Sequence, residues 1–403
     1  MQANEQRGKD KQDTLAVVLP ILTGMLVTLV TVAYARLAFG LILPFMRADL
    51  GLTYQQAGNL GTIVSLGYLF LVMVAGIMAA RWGGRIAVML GLCLTTLGFV
   101  VLSLSSQLPL LVLAMLLLGC GTAFAYTPVI SLLAGSFPRR RGAVIGMTNS
   151  GIGVGILSAS ALVPYLIESF GPTAWRWAWA VFAVISAAAF AASAAYLPRV
   201  RISAAAAKAA PQVPMYRNSR INLTGLLYGV VGTTYIAQTT FMYSFALESG
   251  MSAVTAGRMS ALLGILSIFA APSWGYISDR FGRPRALLVA IALNTVGTFL
   301  PVLWPTVPGF TMHYLVLGCT VSGMFTSILT MAAESVEPQQ APRATSYVTL
   351  FYAMGQFVGP ALAGLLIEHA GGFKTAFTAS SLVLALGFVL ACRLAWLSRT
   401  PLR

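Results

Sequence analysis

The segment Gly275-Tyr-Ile-Ser-Asp-Arg-Phe-Gly-Arg283 lies between two apolar runs and carries the clearest indication of the fold. A second stretch, Gly76-Ile-Met-Ala-Ala-Arg-Trp-Gly-Gly-Arg85, also lies between apolar runs. Its Gly76, Arg81 and Gly83 lie 199 residues before Gly275, Arg280 and Gly282. The same spacing relates Gly51 to Gly250, far from either stretch. A constant spacing over such distances indicates that the chain consists of two repeated halves.

The composition of the chain is that of a membrane protein. Hydrophobic residues make up 58% of the 403 residues and charged residues only 9%, with a mean hydropathy of +0.83. Soluble proteins have about 25% charged residues, so a soluble enzyme is excluded. Apolar runs of about 20 residues, each long enough to cross a bilayer of roughly 30 Å, recur along the chain.

We predict an all-α polytopic membrane protein with twelve transmembrane helices. No segment alternates apolar and polar residues as a barrel strand does. In lipid, a helix satisfies the hydrogen bonds of its own backbone N–H and C=O groups. The predicted helices are 17–45, 54–79, 86–106, 109–136, 142–168, 174–197, 221–247, 252–278, 286–305, 309–334, 344–369 and 374–397.

A long polar connection, residues 199–220, divides the predicted helices into six and six. It contains five basic and no acidic residues. The predicted domains are therefore two six-helix bundles, residues 14–198 and 221–397, with short tails at 1–13 and 398–403.

The formal charge of +15 is attributed to membrane orientation and not to nucleic-acid binding. The basic residues lie in short loops, 20 on one side of the predicted helices and three on the other. Because cytoplasmic loops are enriched in Lys and Arg, both termini are predicted to be cytoplasmic.

The stretch Gly275–Arg283 resembles the G-x-x-x-D-R-x-G-R loop signature of the major facilitator superfamily. The resemblance covers the chain from about Leu15 and includes the second copy, the twelve predicted helices and the central connection. It implies two pseudo-symmetric bundles around a central cavity and transport by alternating access. The same analogy implies a monomer in the bilayer of a bacterial inner membrane.

The signature also implies a gate on the cytoplasmic side. Ala80 replaces the acid in the N-terminal copy, so Asp279 is the acid that remains. By symmetry its target is the first turn of predicted helix 5, where charge pairing and the helix dipole act together. The alternative is that the arginines are ordinary positive-inside anchors. The arginines assigned to this gate are Arg81, Arg85, Arg139, Arg140, Arg141, Arg280 and Arg283.

Two arginines, Arg36 and Arg258, lie inside predicted helices 1 and 8. A charge within the membrane costs roughly 2.5–3.5 kcal/mol, which indicates a function. Both fall in the outer half, and the family resemblance implies that both helices line the cavity, so we predict that they bind an anion together. The alternative for each is snorkelling to the headgroups or bonding to backbone carbonyls. No carboxylate lies at mid-membrane, which disfavours a cationic substrate and an embedded acidic proton carrier.

Polar side chains on the helices expected to line the cavity complete the predicted site. Helix–helix packing is an alternative for the small hydroxyls, but amides and phenols need partners or a wet cavity. His313 and His369 are predicted to be interfacial. The predicted substrate-binding residues besides the arginines are Asn59, Tyr126, Asn149, Tyr235, Gln238, Tyr352 and Gln356.

These features predict a secondary active or facilitative transporter of a small organic anion, most simply a carboxylate, because Arg binds carboxylates bidentately. Protons or a counter-transported anion are the coupling partners left open, and no cofactor or metal is expected. The likeness to oxalate/formate exchangers and monocarboxylate transporters is general, because Ala271 occupies the position of their helix-8 arginine.

The alternative function is efflux of drugs or other amphiphilic molecules. Such exporters typically carry a helix-4 arginine, which is Met115 in this chain, and a Gly-Pro pair in helix 5, which is absent. A sensor built on a transporter scaffold and an enzyme are less favoured, because no appended domain, phosphate loop or nucleophilic triad is recognisable.

Overall fold

A computed structural model describes residues 17–199, 215–337 and 340–397 of the chain, without the side chains of Arg139, Arg141, Ala271, Pro272, Gly275, Asp279 and Pro342. Within these ranges the fold is helical and contains no strand. Helix α1 runs over Val17–Leu37 and continues as Phe39–Leu50. The other long helices are α2 Tyr54–Trp82, α3 Gly84–Leu104, α4 Leu108–Ser136, α5 Arg141–Phe170, α6 Trp175–Tyr196, α7 Ser219–Glu248, α8 Ala253–Phe281, α9 Arg283–Leu303, α10 Val307–Glu334, α11 Ala341–His369 and α12 Gly372–Leu397.

The prediction of twelve transmembrane helices is confirmed, with each boundary within five residues of its expected position. Eleven of the described helices contain a segment that is long and apolar enough to cross a membrane. The remaining one is α7, whose hydroxyl, amide and phenol side chains lower its hydropathy. Most of these polar side chains are buried against α1, α11 and other helices. This arrangement keeps them away from lipid, as a membrane requires.

The repeat in the sequence is also a repeat in the backbone. Gly51, Gly83 and Gly171 have φ of 63°, 104° and 88°, and each has a counterpart in the second half with φ between 86° and 101°. These positions end α1, α2 and α5, and the left-handed region is accessible to glycine at little cost. Their counterparts, which end α7, α8 and α11, are Gly250, Gly282 and Gly371.

Helices α1–α6 and α7–α12 form two bundles. Because successive helices run in opposite directions, Val17 and Leu397 lie at the same end of the molecule, which we name the terminal face. Leu50 and His369 lie at the other end, the opposite face. The bundles meet through α2 with α11, α5 with α8, and α1 with α7. The central connection falls largely on residues 200–214, outside the described residues.

Near the opposite face the two bundles are in backbone contact. A Cβ at Gly58 of α2 would overlap the carbonyl oxygen of Pro360 of α11, and a Cβ at Gly257 of α8 would lie 2.6 Å from the carbonyl oxygen of Ser160 on α5. The hydroxyl of Thr62 also donates to the carbonyl oxygen of Phe357 across the interface, at 2.9 Å. Small residues permit this close approach, which closes the opposite face.

Toward the terminal face the same helix surfaces separate. Gly76 follows Gly58 by eighteen residues, or five full turns, and so lies on the same side of α2. A Cβ at Gly76 would meet no atom within 4 Å, and the same holds for Gly146, two turns before the α8-contacting Gly153 on α5. The space between the bundles is therefore open to the terminal face.

Candidate functional site

The site is built around Arg36, at the end of an irregular segment of α1. Residues Leu29–Leu37 form a π-helix, and the amide of Ala38 donates to the carbonyl of Ala33 at 2.7 Å, five residues back. Such wide turns are uncommon and are frequent at functional sites. Arg36 is half-buried between the two bundles.

Arg36 joins the bundles through its guanidinium. Its Nη2 donates to Oε1 of Gln356 on α11 at 2.6 Å, and its Cζ lies 4.9 Å from the ring centroid of Tyr68 on α2. No ion pair to a carboxylate of the described residues neutralises Arg36. The ion pairs found there join Arg176 to Asp49 and Arg283 to Glu334. Since a guanidinium has five N–H donors, Arg36 retains donors and a net charge for an anionic ligand.

Tyrosines surround this charge on both sides. Arg36 interacts electrostatically with Tyr126, Tyr235 and Tyr352. In the N-terminal bundle, the hydroxyl of Tyr126 donates to Oδ1 of Asn149 at 3.3 Å. The arrangement thus combines one cation with several phenol hydroxyls.

Aromatic stacking fixes the C-terminal wall of the site. Tyr228 stacks on Tyr352 with ring centroids 4.4 Å apart, and Phe325 packs edge-on against Tyr235 and Tyr352, each at 5.4 Å. Aromatic pairs of this geometry contribute about 0.5–1.5 kcal/mol beyond the area that they bury. The wall therefore offers aromatic faces and edges that can contact the apolar part of a small ligand.

Six of the predicted binding residues lie together in this cluster, whereas Asn59 does not. Asn59 is exposed on α2 and shares its helix face with Phe70 and Ile77, which are 68% and 66% exposed. Gln238 lies one turn from Tyr235 on α7 and is buried. The residues brought together are Arg36, Tyr126, Asn149, Tyr235, Tyr352 and Gln356.

The structure does not bring Arg258 to Arg36. Arg258 is exposed, and its helix face continues through Ile265 and Phe269, which are 41% and 64% exposed. The cavity-lining residues of α8, Ser260 and Leu263, lie on the opposite side of the helix. This position matches the alternative expectation of a guanidinium that reaches the headgroups.

The structure adds three aromatic residues to the predicted binding residues. Tyr68 and Tyr228 belong to the polar side chains on helices that the sequence predicts to line the cavity, although they are not among the predicted binding residues. Phe325 of α10 was missed, because a phenylalanine within an apolar helix is typical of helix packing.

At the terminal face, Arg85, Arg280 and Arg283 each contact a residue of their own bundle. Arg85 donates to the carbonyls of Ala194 and Leu197 at the end of α6, and Arg283 pairs with Glu334 at 3.0 Å. Arg280 donates to the hydroxyl of Tyr276 at 3.0 Å, and Arg81 and Arg140 are exposed. The side chains of Asp279, Arg139 and Arg141 lie outside the described residues, so the predicted gate contact stays a prediction.

The opposite face carries an inter-bundle cluster that was not predicted. The backbone N–H of Tyr54, at the start of α2, donates to Glu368 of α11 at 2.8 Å, and its hydroxyl donates to Glu248 of α7 at 3.1 Å. Arg47 lies over the Tyr54 ring at 4.0 Å. A carboxylate at a helix N-terminus also interacts favourably with the helix dipole, so this cluster favours closure.

Replacing Glu368 by Gln is expected to loosen the opposite face by a small amount. Because the contact is exposed, its loss should destabilise the closed state by about 0.5–1 kcal/mol. The population that is open at this face should then rise about two- to fivefold. The measurement is the maleimide labelling rate of Thr62→Cys, placed in a background without the native cysteines. Glu168→Gln is the matched control, because Glu168 is the repeat counterpart of Glu368 and is also exposed. Equal labelling rates in both variants would remove the role of Glu368.

Residues 28–392 match the sequence profile of a protein family described as "Uncharacterised MFS-type transporter YbfB". Among curated proteins, the chain is 26% identical to human monocarboxylate transporter 11 over 332 residues, which covers 78% of the chain and 70% of that protein. It is 25% identical to bovine monocarboxylate transporter 13 over 358 residues, 84% of the chain and 77% of that protein.

Solved structures share the fold. The nucleoside transporter NupG superimposes with a TM-score of 0.73 at 14% identity, covering 96% of the chain and 100% of NupG. A bacterial homologue of the human lysosomal transporter Spinster also superimposes with a TM-score of 0.73, at 16% identity, covering 95% of the chain and 97% of the homologue. The arrangement of two six-helix bundles is therefore that of known transporters.

Proposed function

Because the chain belongs to the family of the MFS-type transporter YbfB, within the major facilitator superfamily, we propose that it moves a small organic anion across its membrane by alternating access. It is a membrane transporter and not an enzyme. The proposed substrate is a carboxylate, and Arg36 is the proposed binding residue for its negative charge.

The observation that carries this proposal is the unneutralised charge of Arg36 between the bundles. No carboxylate of the described residues pairs with it, while Gln356 holds one of its nitrogens at 2.6 Å. An uncompensated, half-buried cation favours an anionic ligand and repels a cationic one. The printed names of the curated relatives, monocarboxylate transporters, agree with that charge.

The tyrosines add a way to bind the rest of the anion. Tyr126, Tyr235 and Tyr352 interact electrostatically with Arg36, so we expect a phenol hydroxyl to donate to a carboxylate that pairs with the guanidinium. The stacked rings of Tyr228 and Tyr352 suit a short apolar body. Arg258 has no part in the proposed site, because it lies on the exposed face of α8.

We assign the terminal face to the cytoplasm, since it carries most of the basic residues. With that assignment the conformation described is open to the cytoplasm and closed toward the outside. A bacterial inner membrane, a monomeric state, and coupling to protons or to a counter-transported anion remain parts of the proposal. In the alternate conformation the terminal face closes, and Asp279 is proposed to contact the start of α5 there.

The test is ligand-dependent thermal stability of the purified protein, followed by transport in liposomes. The panel contains short mono- and dicarboxylates, inorganic anions and lipophilic cations. A ligand at 100 times its Kd adds about 2.7 kcal/mol, a shift that is readily measured. We expect stabilisation by a class of carboxylates and uptake of the same class. Stabilisation by lipophilic cations alone would contradict the proposal and favour efflux of amphiphilic molecules.

A further inference from the structure

A second cavity lies between the two bundles on the side of Arg36 that faces the closed, opposite end. Its volume is about 40 Å³, enough for two or three water-sized groups. Leu37 and Ser160 line it from the N-terminal bundle, and Gln238, Ser260 and His313 from the C-terminal bundle. We name it the outer pocket.

Four side chains of the outer pocket are buried without a hydrogen-bond partner for one polar atom. These atoms are Oγ of Ser160, Oγ of Ser260, Oε1 of Gln238 and Nε2 of His313, and each belongs to a residue no more than 3% exposed. Buried polar groups are nearly always satisfied, so this concentration in one cavity indicates a missing partner.

The chemistry of these atoms identifies the missing partner as a hydrogen-bond donor. His313 Nδ1 lies 3.0 Å from the carbonyl oxygen of Gly297, which can only accept. In the neutral imidazole Nδ1 therefore carries the proton and Nε2 is an acceptor. The Gln238 Oε1 atom is also an acceptor, and the Ser160 hydroxyl can accept as well. His313 is thus a buried part of the interior and not the interfacial residue that the sequence suggested.

The outer pocket is close to the anion site. Gln238 lies three residues beyond Tyr235 on α7, a rise of about 4.5 Å, and Leu37 directly follows Arg36 on α1. The two sites are therefore neighbours along both α1 and α7. No carboxylate of the described residues lines the pocket, so a neutral donor fits it better than an ammonium group.

We propose that the outer pocket binds a hydroxyl group of the substrate, so that the preferred substrate is a hydroxylated carboxylate. This inference rests on the proposed binding of a carboxylate by Arg36. The ligand hydroxyl can donate to one acceptor, Nε2 of His313 or Oε1 of Gln238, and accept from a serine hydroxyl, whereas its analogue without the hydroxyl leaves these atoms unpaired. Sites of this kind discriminate strongly against the analogue.

The experiment compares 4-hydroxybutyrate with butyrate, and 5-hydroxypentanoate with pentanoate, by equilibrium binding to the full-length protein. We expect at least a tenfold tighter binding of the hydroxylated member of the better pair. In Gln238→Leu that preference should fall to less than threefold, while binding of the unsubstituted acid changes little. Asn59→Leu is the matched control, because it removes an amide from the exposed face of α2, and it should keep the preference.

Each outcome decides the inference. If no acid binds to the unaltered protein, the proposed function fails. If acids bind but hydroxylated and unsubstituted members bind equally, the function stands and the outer pocket holds water only. A preference that survives in Gln238→Leu also overturns the inference. Should Gln238→Leu not fold, Ser160→Ala replaces it, with the same loss of preference expected.

Discussion

Replacing Arg36 by Gln is expected to weaken binding of the carboxylate substrate by about 10- to 150-fold and to reduce its transport accordingly. Hydrogen bonds to charged groups contribute about 1.5–3 kcal/mol, and each 1.4 kcal/mol changes the dissociation constant tenfold. Gln keeps part of the side-chain volume and can still form a hydrogen bond near Gln356. The weaker binding therefore measures the effect of removing the positive charge of Arg36. Arg36→Lys should recover binding only in part, because an ammonium cannot pair bidentately with a carboxylate.

Arg258→Gln is the matched control for this variant. It removes the other arginine that the sequence places inside a helix, but from the exposed face of α8. Binding should therefore stay within about twofold of the unaltered protein. Equal losses in both variants would restore the two-arginine site, and unchanged binding in Arg36→Gln would refute the anion site.

Substituting Ala for Gly58 is expected to shift the protein toward a state that is open at the opposite face. The added methyl group would overlap the carbonyl oxygen of Pro360, a backbone atom that cannot rotate away. Overpacking of this kind costs typically 1–3 kcal/mol, so the ratio of the two states should change about 5- to 150-fold. Transport should slow, because the protein no longer returns readily to the state described above.

The measurement is the distance between spin labels on Leu104→Cys and Leu303→Cys, in a background without the native cysteines. These two residues are exposed ends of α3 and α9, one in each bundle, at the opposite face. The distance distribution should move to longer values in Gly58→Ala.

Gly76→Ala is the matched control, since it makes the same change on the same face of α2, where no atom lies within 4 Å. It should leave the label distances of the described state unchanged. If Gly58→Ala leaves them unchanged as well, the close approach of α2 and α11 does not set the conformational balance.

The helices and the two-fold repeat were predictable because each depends on local sequence. A run of about 20 apolar residues must form a helix in lipid wherever its neighbours lie. Glycines that end helices with positive φ, such as Gly83 and Gly282, recur at the repeat spacing. Arg36 was also predictable as a candidate, because a charge in an apolar run is costly whatever surrounds it.

The composition of the site depended on the tertiary structure. Hydropathy places a residue at a depth in the membrane but says little about the direction in which it points around the helix. Arg36 and Arg258 were expected at similar depths, yet one lies between the bundles and the other on an exposed face. Asn59 and Gln238 are both amides on cavity-lining helices, yet Asn59 is exposed and Gln238 is buried.

The number of helices, their arrangement in two repeated halves, the family and an interior cation can therefore be predicted from the order of residues. The side chains that meet this cation, the closure of the bundles at one face and the burial of His313 in a pocket follow from how the helices pack. A helix forms its hydrogen bonds within one segment of chain, so its formation does not depend on its neighbours. Rotation and packing of helices instead depend on contacts between residues hundreds of positions apart, such as Arg36 and Gln356.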